Sequence, residues 1–466
     1  MALLIKLCIS IVILICSFFL FKKANGTIRI DRITPLSLIF YYNLVLCSFL
    51  GATLMFIGIT IHPDLRFIYN DSLYLITFLS VSYVLLSLPL FTIILNKIWR
   101  LEPQNSFIRY IKKPLIPLFT LNDKYMYYPL WGITFISCIV TIYLLIGSPL
   151  LSFLMGGSVN VAEARIDYSR GFAGSEVVRN IIGHGFIPMC SYVVYSYMKI
   201  SKNYKWKIMF ILLFINSVLI YGASMSKSTI ASYLLSFLLL KVLIDGKIPI
   251  KQLMSTGITV IMLVLIMYVV TKDNFAELVT DYEALIFKGG PIGRVIFGQL
   301  VGFVNTLNVF PDIHHFLYGA DFAFLRFLGF DFIDSSRIVM AYVNPIGVRN
   351  GTVGVMNSLF TAEAYANFGY IGILLAPLAV ASILHFFTLL LYKLPKTPIV
   401  IGWWVYSMFL LSKGITGGLF SEFIFNTRII GVTFLTICLY ISGHVLFGIY
   451  GNKRFSPKSV VAKSDF

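Results

Sequence analysis

The sequence predicts an all-α, polytopic membrane helix bundle of about eleven transmembrane helices, with one large outer loop carrying interfacial and re-entrant helices. Three observations predict it. Charged residues make up only 12% of the 466, about half the ~25% usual in a soluble domain, so the chain is built for lipid as its solvent. Eleven stretches reach the ~20 mostly apolar residues that a membrane-spanning helix needs. Lysine and arginine concentrate in every second loop between them.

The stretches follow in order. Residues 3–21 are followed by Lys22-Lys23 and lack a small-residue cleavage site, so they read as a retained helix and not as a signal peptide. Next come 34–60, 72–96, 127–148 and 179–198. Residues 208–225 and 229–244 are separated only by the short turn at Ser224–Ser228, and 253–271 closes the first group. The last three stretches are 370–392, 399–417 and 426–449. Residues 1–466 therefore read as a single integral membrane domain, with a large loop at 272–369 inside it. In that loop, Asp273–Phe287 has Phe275, Leu278, Val279, Tyr282, Leu285 and Ile286 on one helical face, as a helix lying in the membrane interface does. Val295–Phe310 is apolar but broken by Gly298, Gly302 and Asn305, and reads as a re-entrant or capping helix. As a lone full span it would invert every later loop. Ala320–Phe332, with five phenylalanines around Arg326, reads as a further interfacial piece.

Loop charge sets the orientation. Segments 22–33, 97–126, 199–207, 241–252, 393–398 and 450–466 hold 23 of the 37 lysines and arginines, and the alternate loops hold 12. The positive-inside rule places the first set in the cytoplasm, hence the N-terminus out and the C-terminus in. Fifteen of the 20 carboxylates then fall outside. The net charge of +17, which in a soluble protein would point to nucleic acid, here faces anionic lipid, and no nucleic-acid partner is expected. The six cysteines all sit in apolar stretches without metal-ligand spacing, which marks them as packing residues.

Chemistry is expected on the outer face. In "AEARIDYSRGFAGSEVVRN", Arg165, Arg170 and Arg179 alternate with Glu163, Asp167 and Glu176. These arginines can grip a diphosphate or an anionic sugar, or close salt bridges with the adjacent carboxylates. Lys227 opens a helix in "SMSKSTIASYLLSFLL", where exposed backbone N–H groups and a cation make an anion site; a snorkelling lysine is the alternative. Arg294 in "GGPIGRVIFGQ" and Arg349 in "NPIGVRNGTVG" are flanked by glycines that let backbone approach a ligand. His315, beside His314, offers a base near neutral pH. Glu363, at the outer edge of the ninth helix, is a second candidate base, or else the partner of a loop arginine. No metal site, P-loop, dinucleotide motif or nucleophile elbow is present, and neither metal nor cofactor is expected.

Eleven or so helices with one large outer loop late in the chain resemble the Wzy-type O-antigen and oligosaccharide repeat-unit polymerases. "SMSKSTIASYLLSFLL" resembles that family's serine–arginine–small stretch, with Lys227 where arginine is commoner. "EAYANFGYIG" resembles its Glu–x–x–x–Asn–Phe–Gly–x–x–Gly segment, here Glu363, Asn367, Phe368, Gly369 and Gly372. The resemblance implies a metal-independent glycosyltransferase of the bacterial inner membrane that joins repeat units carried on undecaprenyl diphosphate. Glu363 or His315 would be the base, and Arg294 would stabilise the leaving diphosphate. Arg165, Arg170, Arg179, Lys227 and Arg349 would bind substrate, and a chain-length regulator would be a partner. An O-antigen ligase transferring glycan to lipid A core shares the topology. A repeat-unit flippase is the rival from another class, but the helix centres are nearly free of ionisable residues and the chain lacks matching halves.

Overall fold

Every one of the eleven apolar stretches is helical in the computed structural model, which describes residues 2–119, 124–156, 161–170, 172, 174–201, 203–271 and 290–451. The chain runs α1 (Ala2–Asn25), α2 (Pro35–Phe56), α3 (Ser72–Ile98), α4 (Pro103–Lys112), α5 (Lys124–Leu145) and α6 (Val161–Arg170). It continues with α7 (Val178–Phe186 and Ile187–Ser201), α8 (Tyr204–Gly222), α9 (Lys227–Asp245) and α10 (Ile250–Thr271). The second part holds α11 (Pro291–Ile296), α12 (Gly298–Val309), α13 (Ser335–Val343), α14 (Pro345–Arg349), α15 (Phe360–Lys393), α16 (Pro398–Gly414) and α17 (Thr427–Gly451). No strand occurs among the described residues. Eight helical runs among them are long and apolar enough to cross a membrane. The Asp273–Phe287 helix expected from sequence lies outside the described residues.

Lipid as solvent explains the surface. Leu4, Val12, Phe19, Ile142, Ile371 and Phe434 stand exposed on long helices, which would be ruinous in water but costs nothing against acyl chains. The interior is stitched by asparagine and serine, whose hydrogen bonds hold helices together where hydrophobic burial cannot. Asn216 Nδ2 donates to Ser137 Oγ at 2.7 Å, and Asn43 Nδ2 donates to the carbonyl of Ser412.

The loops sort into two ends as their charges require. At the basic end, Asn96 Nδ2 donates to Ala24 O at 2.8 Å, Ile248 N donates to Asp31 O at 2.9 Å, and Phe119 stacks on Phe447 with ring centroids 5.1 Å apart. Tyr197 stacks on Trp206 at 4.6 Å. Lys396 is buried there and its Nζ donates to the carbonyls of Ile111 and Lys113 at 3.1 and 2.8 Å. It thereby caps the amphipathic helix α4, whose last carbonyls have no partner within the helix. Burial lowers this ammonium to about 8.

The opposite end gathers the acidic loops. Asn305 Nδ2 donates to Asp64 O at 3.0 Å, Tyr221 OH to His184 O at 2.8 Å and Phe360 N to Ile415 O at 3.0 Å. The apolar stretch at 295–310 is here two helices broken at Phe297, not one. At 12 residues, α12 spans only about 18 Å, short of the ~30 Å hydrocarbon core, and nearly all of it is buried. It is an internal strut against α3, α13 and α15. Gly302 permits this, since a Cβ there would lie 2.1 Å from Asn357 O. Ala320–Phe332 forms a 3₁₀ turn at Ala323–Leu328 whose aromatic neighbours pack on protein: Phe322 lies 5.8 Å from Phe420 and Phe324 lies 4.7 Å from Phe425.

Candidate active site

The "EAYANFGYIG" segment forms the first turns of α15, and its residue types follow from a break in that helix. Phe368 (φ −133°, ψ 15°) and Gly369 (φ 61°, ψ −145°) leave helical geometry in mid-run. The second of these conformations is open only to glycine. A break strands backbone groups, and Asn367 recovers them. Fully buried, it donates through Nδ2 to Glu363 O at 2.8 Å and accepts at Oδ1 from Gly319 N at 2.9 Å. Its own carbonyl accepts from Tyr318 N at 3.1 Å, while Leu317 N donates to Ala366 O at 3.0 Å. Loop 317–319 is thereby clipped to the broken helix. Gly372 lets the chain close past the break, because a Cβ there would lie 2.0 Å from Ala364 O.

Glu363, four residues before Asn367, is half-buried and points into a cavity of about 280 Å³ at the acidic end. One of its oxygens, Oε2, accepts from Phe420 N at 3.0 Å. Among the described residues no arginine pairs with it, which was one expectation for it. The cavity's other carboxylates are Asp321, Asp334 and Glu422. Asp334 is the N-cap of α13, accepting from Arg337 N at 3.2 Å. Glu422 sits in a π-helical turn, Phe420–Ile424, and is held by Asn426 Nδ2 at 3.1 Å and by Arg428 at 3.5 Å. Asp321 is buried and accepts from Ser335 Oγ. Among the described residues no lysine or arginine lines the cavity. Such a lining offers many hydrogen-bond acceptors to a polyol and proton acceptors to a hydroxyl.

Burial, and behind it the charge of Asp334, pushes the Asp321 carboxyl up to about 6, against the pull of its bonds from Ser335 and Asn367. A carboxyl raised in the folded state favours folding when protonated. Its contribution is complete below the unfolded value near 3.8 and is lost as pH rises through about 6. Asp321→Asn should therefore flatten the fall in melting temperature between pH 4 and pH 7.5, an effect of about 3 kcal/mol. Melts of the two proteins in detergent across that range check this; parallel curves would contradict it.

The other candidates lie elsewhere. Arg165 and Arg294 are both exposed, and partial burial, then the nearby charge of Arg294, lowers the Arg165 guanidinium's pKa. His62 joins them, its imidazole lowered by burial and by Arg294 against the opposing charge of Asp64. Arg179 is engaged in structure, donating to Ser169 O at 3.1 Å, pairing with Glu176 at 3.8 Å and lying over the Phe172 ring at 4.8 Å. Arg170 is on α6, but its side chain lies outside the described residues. Lys227 opens α9, half-buried. Arg349 ends α14, exposed, and His315 is exposed in loop 311–319 with its carbonyl 2.8 Å from His314 Nδ1. Neither lines the Glu363 cavity.

Asp321, Asp334, Ser335 and Glu422 are the site residues that sequence reading passed over. Asp321 carried a usable signal, a lone carboxylate inside the aromatic run "YGADFAFLRF". Glu422 carried the same signal in "LFSEFIF", while Asp334 and Ser335 sit in polar loop sequence and gave none. Compared with known protein families, with curated proteins and with solved structures, the chain matches none.

Proposed function

We propose that this membrane protein is a glycosyltransferase that polymerises undecaprenyl-diphosphate-linked oligosaccharide repeat units at the outer face of the bacterial inner membrane. The observation that carries the reading is the seating of Glu363, with Asp321 and Asp334, in a polyol-sized cavity at the end of the bundle opposite the basic loops. Arg165 on α6 and Arg294 on α11 add two cations, with the charge of Arg294 felt at Arg165.

In this reading the acceptor sugar enters the carboxylate cavity. Glu363 takes the proton of its nucleophilic hydroxyl, and that oxygen bonds to the anomeric carbon of the donor glycan. The anomeric C–O bond breaks with its electron pair going to the lipid diphosphate. Arg165 and Arg294 stabilise the charge that grows there, as fixed cations do in other electrostatic catalysis. Asp321 and Asp334 accept hydrogen bonds from sugar hydroxyls and fix the orientation. No metal or cofactor is called for.

Deletion of the gene should leave a surface glycolipid capped by a single repeat, and the wild-type gene should restore the ladder on a gel. Arg165→Ala/Arg294→Ala should restore it poorly, with chain extension down at least about 100-fold and normal protein levels. Uncapped core with glycan stranded on the carrier would indicate a ligase instead. Single repeats trapped in the cytoplasm would indicate a flippase.

A further inference from the structure

A second polar cavity, of about 510 Å³, lies at the basic end, far from the carboxylate cluster. It is bounded by the last turns of α1, the link to α2 and the start of α4. Its charged lining is Lys22, Arg29 and Arg32, and Gln104 adds a polar group from α4. The neighbouring carboxylate Asp31 is taken up by Arg29 in a two-pronged bond with both distances 2.9 Å. Among the described residues, the Nε of Arg32 is buried with no hydrogen-bond partner. A desolvated guanidinium N–H costs free energy unless an acceptor meets it, and the excess of positive charge asks for an anion.

Apart from Thr27 and Tyr41, the remaining side chains of the wall are apolar. Phe18 and Ile108 line the cavity, and Phe18 is 38% exposed on a helix whose Ile11, Val12, Ile15 and Phe19 face outward. The cavity therefore opens both to the polar end of the bundle and to the lipid-facing flank of α1. Trp99, exposed and covered by the ammonium of Lys393 at 5.7 Å, marks the same end with the aromatic–basic pairing typical of a membrane interface. A soluble phosphate would have no use for the apolar wall. We infer that this cavity binds the phosphate of an anionic phospholipid, with an acyl chain lying along Phe18 and Ile108. The site is independent of the proposed catalytic reading, and it ties the first helix and the amphipathic helix α4 to the bilayer surface.

Purified full-length protein in detergent can be titrated with phosphatidylglycerol, phosphatidylcholine and glycerol 3-phosphate, with bound lipid read by native mass spectrometry and by the shift in melting temperature. Phosphatidylglycerol should fill one preferred site in the wild type. Lys22→Gln should weaken it about fivefold and Lys22→Gln/Arg32→Gln about 25-fold, from the ~1 kcal/mol that each cation near an anionic surface contributes. Lys205→Gln/Lys207→Gln, which removes two charges elsewhere at the same end, should leave that site intact. Equal loss in this control overturns the site in favour of diffuse attraction. Equal protection by glycerol 3-phosphate overturns the lipid as ligand, and so does retention of phosphatidylcholine as tight as that of phosphatidylglycerol. Lys22 is exposed, so its single variant decides the matter even where Arg32→Gln fails to fold.

Discussion

Glu363→Gln should abolish chain elongation, by at least about 100-fold, in a protein that still inserts and folds. Glutamine keeps the volume and an oxygen that can accept from Phe420 N, a bond now 3.0 Å long, so the seat in the cavity survives. What it removes is the capacity to take a proton. Cells carrying the variant should show core capped by one repeat and no ladder, at wild-type protein level. An undiminished ladder would remove Glu363 from the chemistry and leave the carboxylate cavity as a sugar-binding surface only. Glu363→Asp should also lose most activity, because the shorter side chain withdraws the carboxylate from the cavity while keeping its charge.

Gly369→Ala and Gly372→Ala should each destabilise the protein by about 2–4 kcal/mol and silence it with them. At Gly369 the obstacle is conformational: φ is 61° with ψ −145°, and a Cβ would also stand 3.1 Å from the Phe316 ring. At Gly372 the obstacle is steric, a Cβ 2.0 Å from Ala364 O. Backbone cannot swing aside as a flexible side chain does. Relief requires straightening the break, which would unclip loop 317–319 and carry Glu363 and Asp321 apart. Gly257→Ala is the control, since its Cβ meets nothing within 4 Å and alanine is the better helix former. Melting temperatures in detergent should fall for the first two variants and hold or rise for the control. A Gly372→Ala protein with normal stability and activity would contradict the account of the break.

The same residues show how far sequence reading reached. Helical periodicity, apolar length and loop charge are local properties, and the structure has helices at every stretch they marked and loops sorted by charge at two ends. Glu363 was legible because a carboxylate at a span's edge is conspicuous. The resemblance singled out Asn367, Gly369 and Gly372, yet nothing in the string said that they serve a helix break. Their roles depend on Gly319, Phe316 and Ala364, two of which are some fifty residues away in sequence. Arg179 was legible as a cation on the outer face, but its engagement with Glu176, Ser169 and Phe172 appears only once the loop has folded.

The sequence by itself determined that this is a helical membrane protein, which face carries its acids and which its bases, and one carboxylate of the site. Those features rest on composition and on the 3.6-residue period, and each can be read within a single segment. Only the tertiary structure decided that Glu363 meets Asp321, Asp334 and Glu422, that the charge of Arg294 reaches Arg165, and that His315 stands outside the cavity. Those pairings join α6 to α11, and the loop before α13 to α13, α15 and the turn before α17. The energy that selects them comes from packing and from satisfying buried backbone groups, terms that belong to no single stretch of sequence.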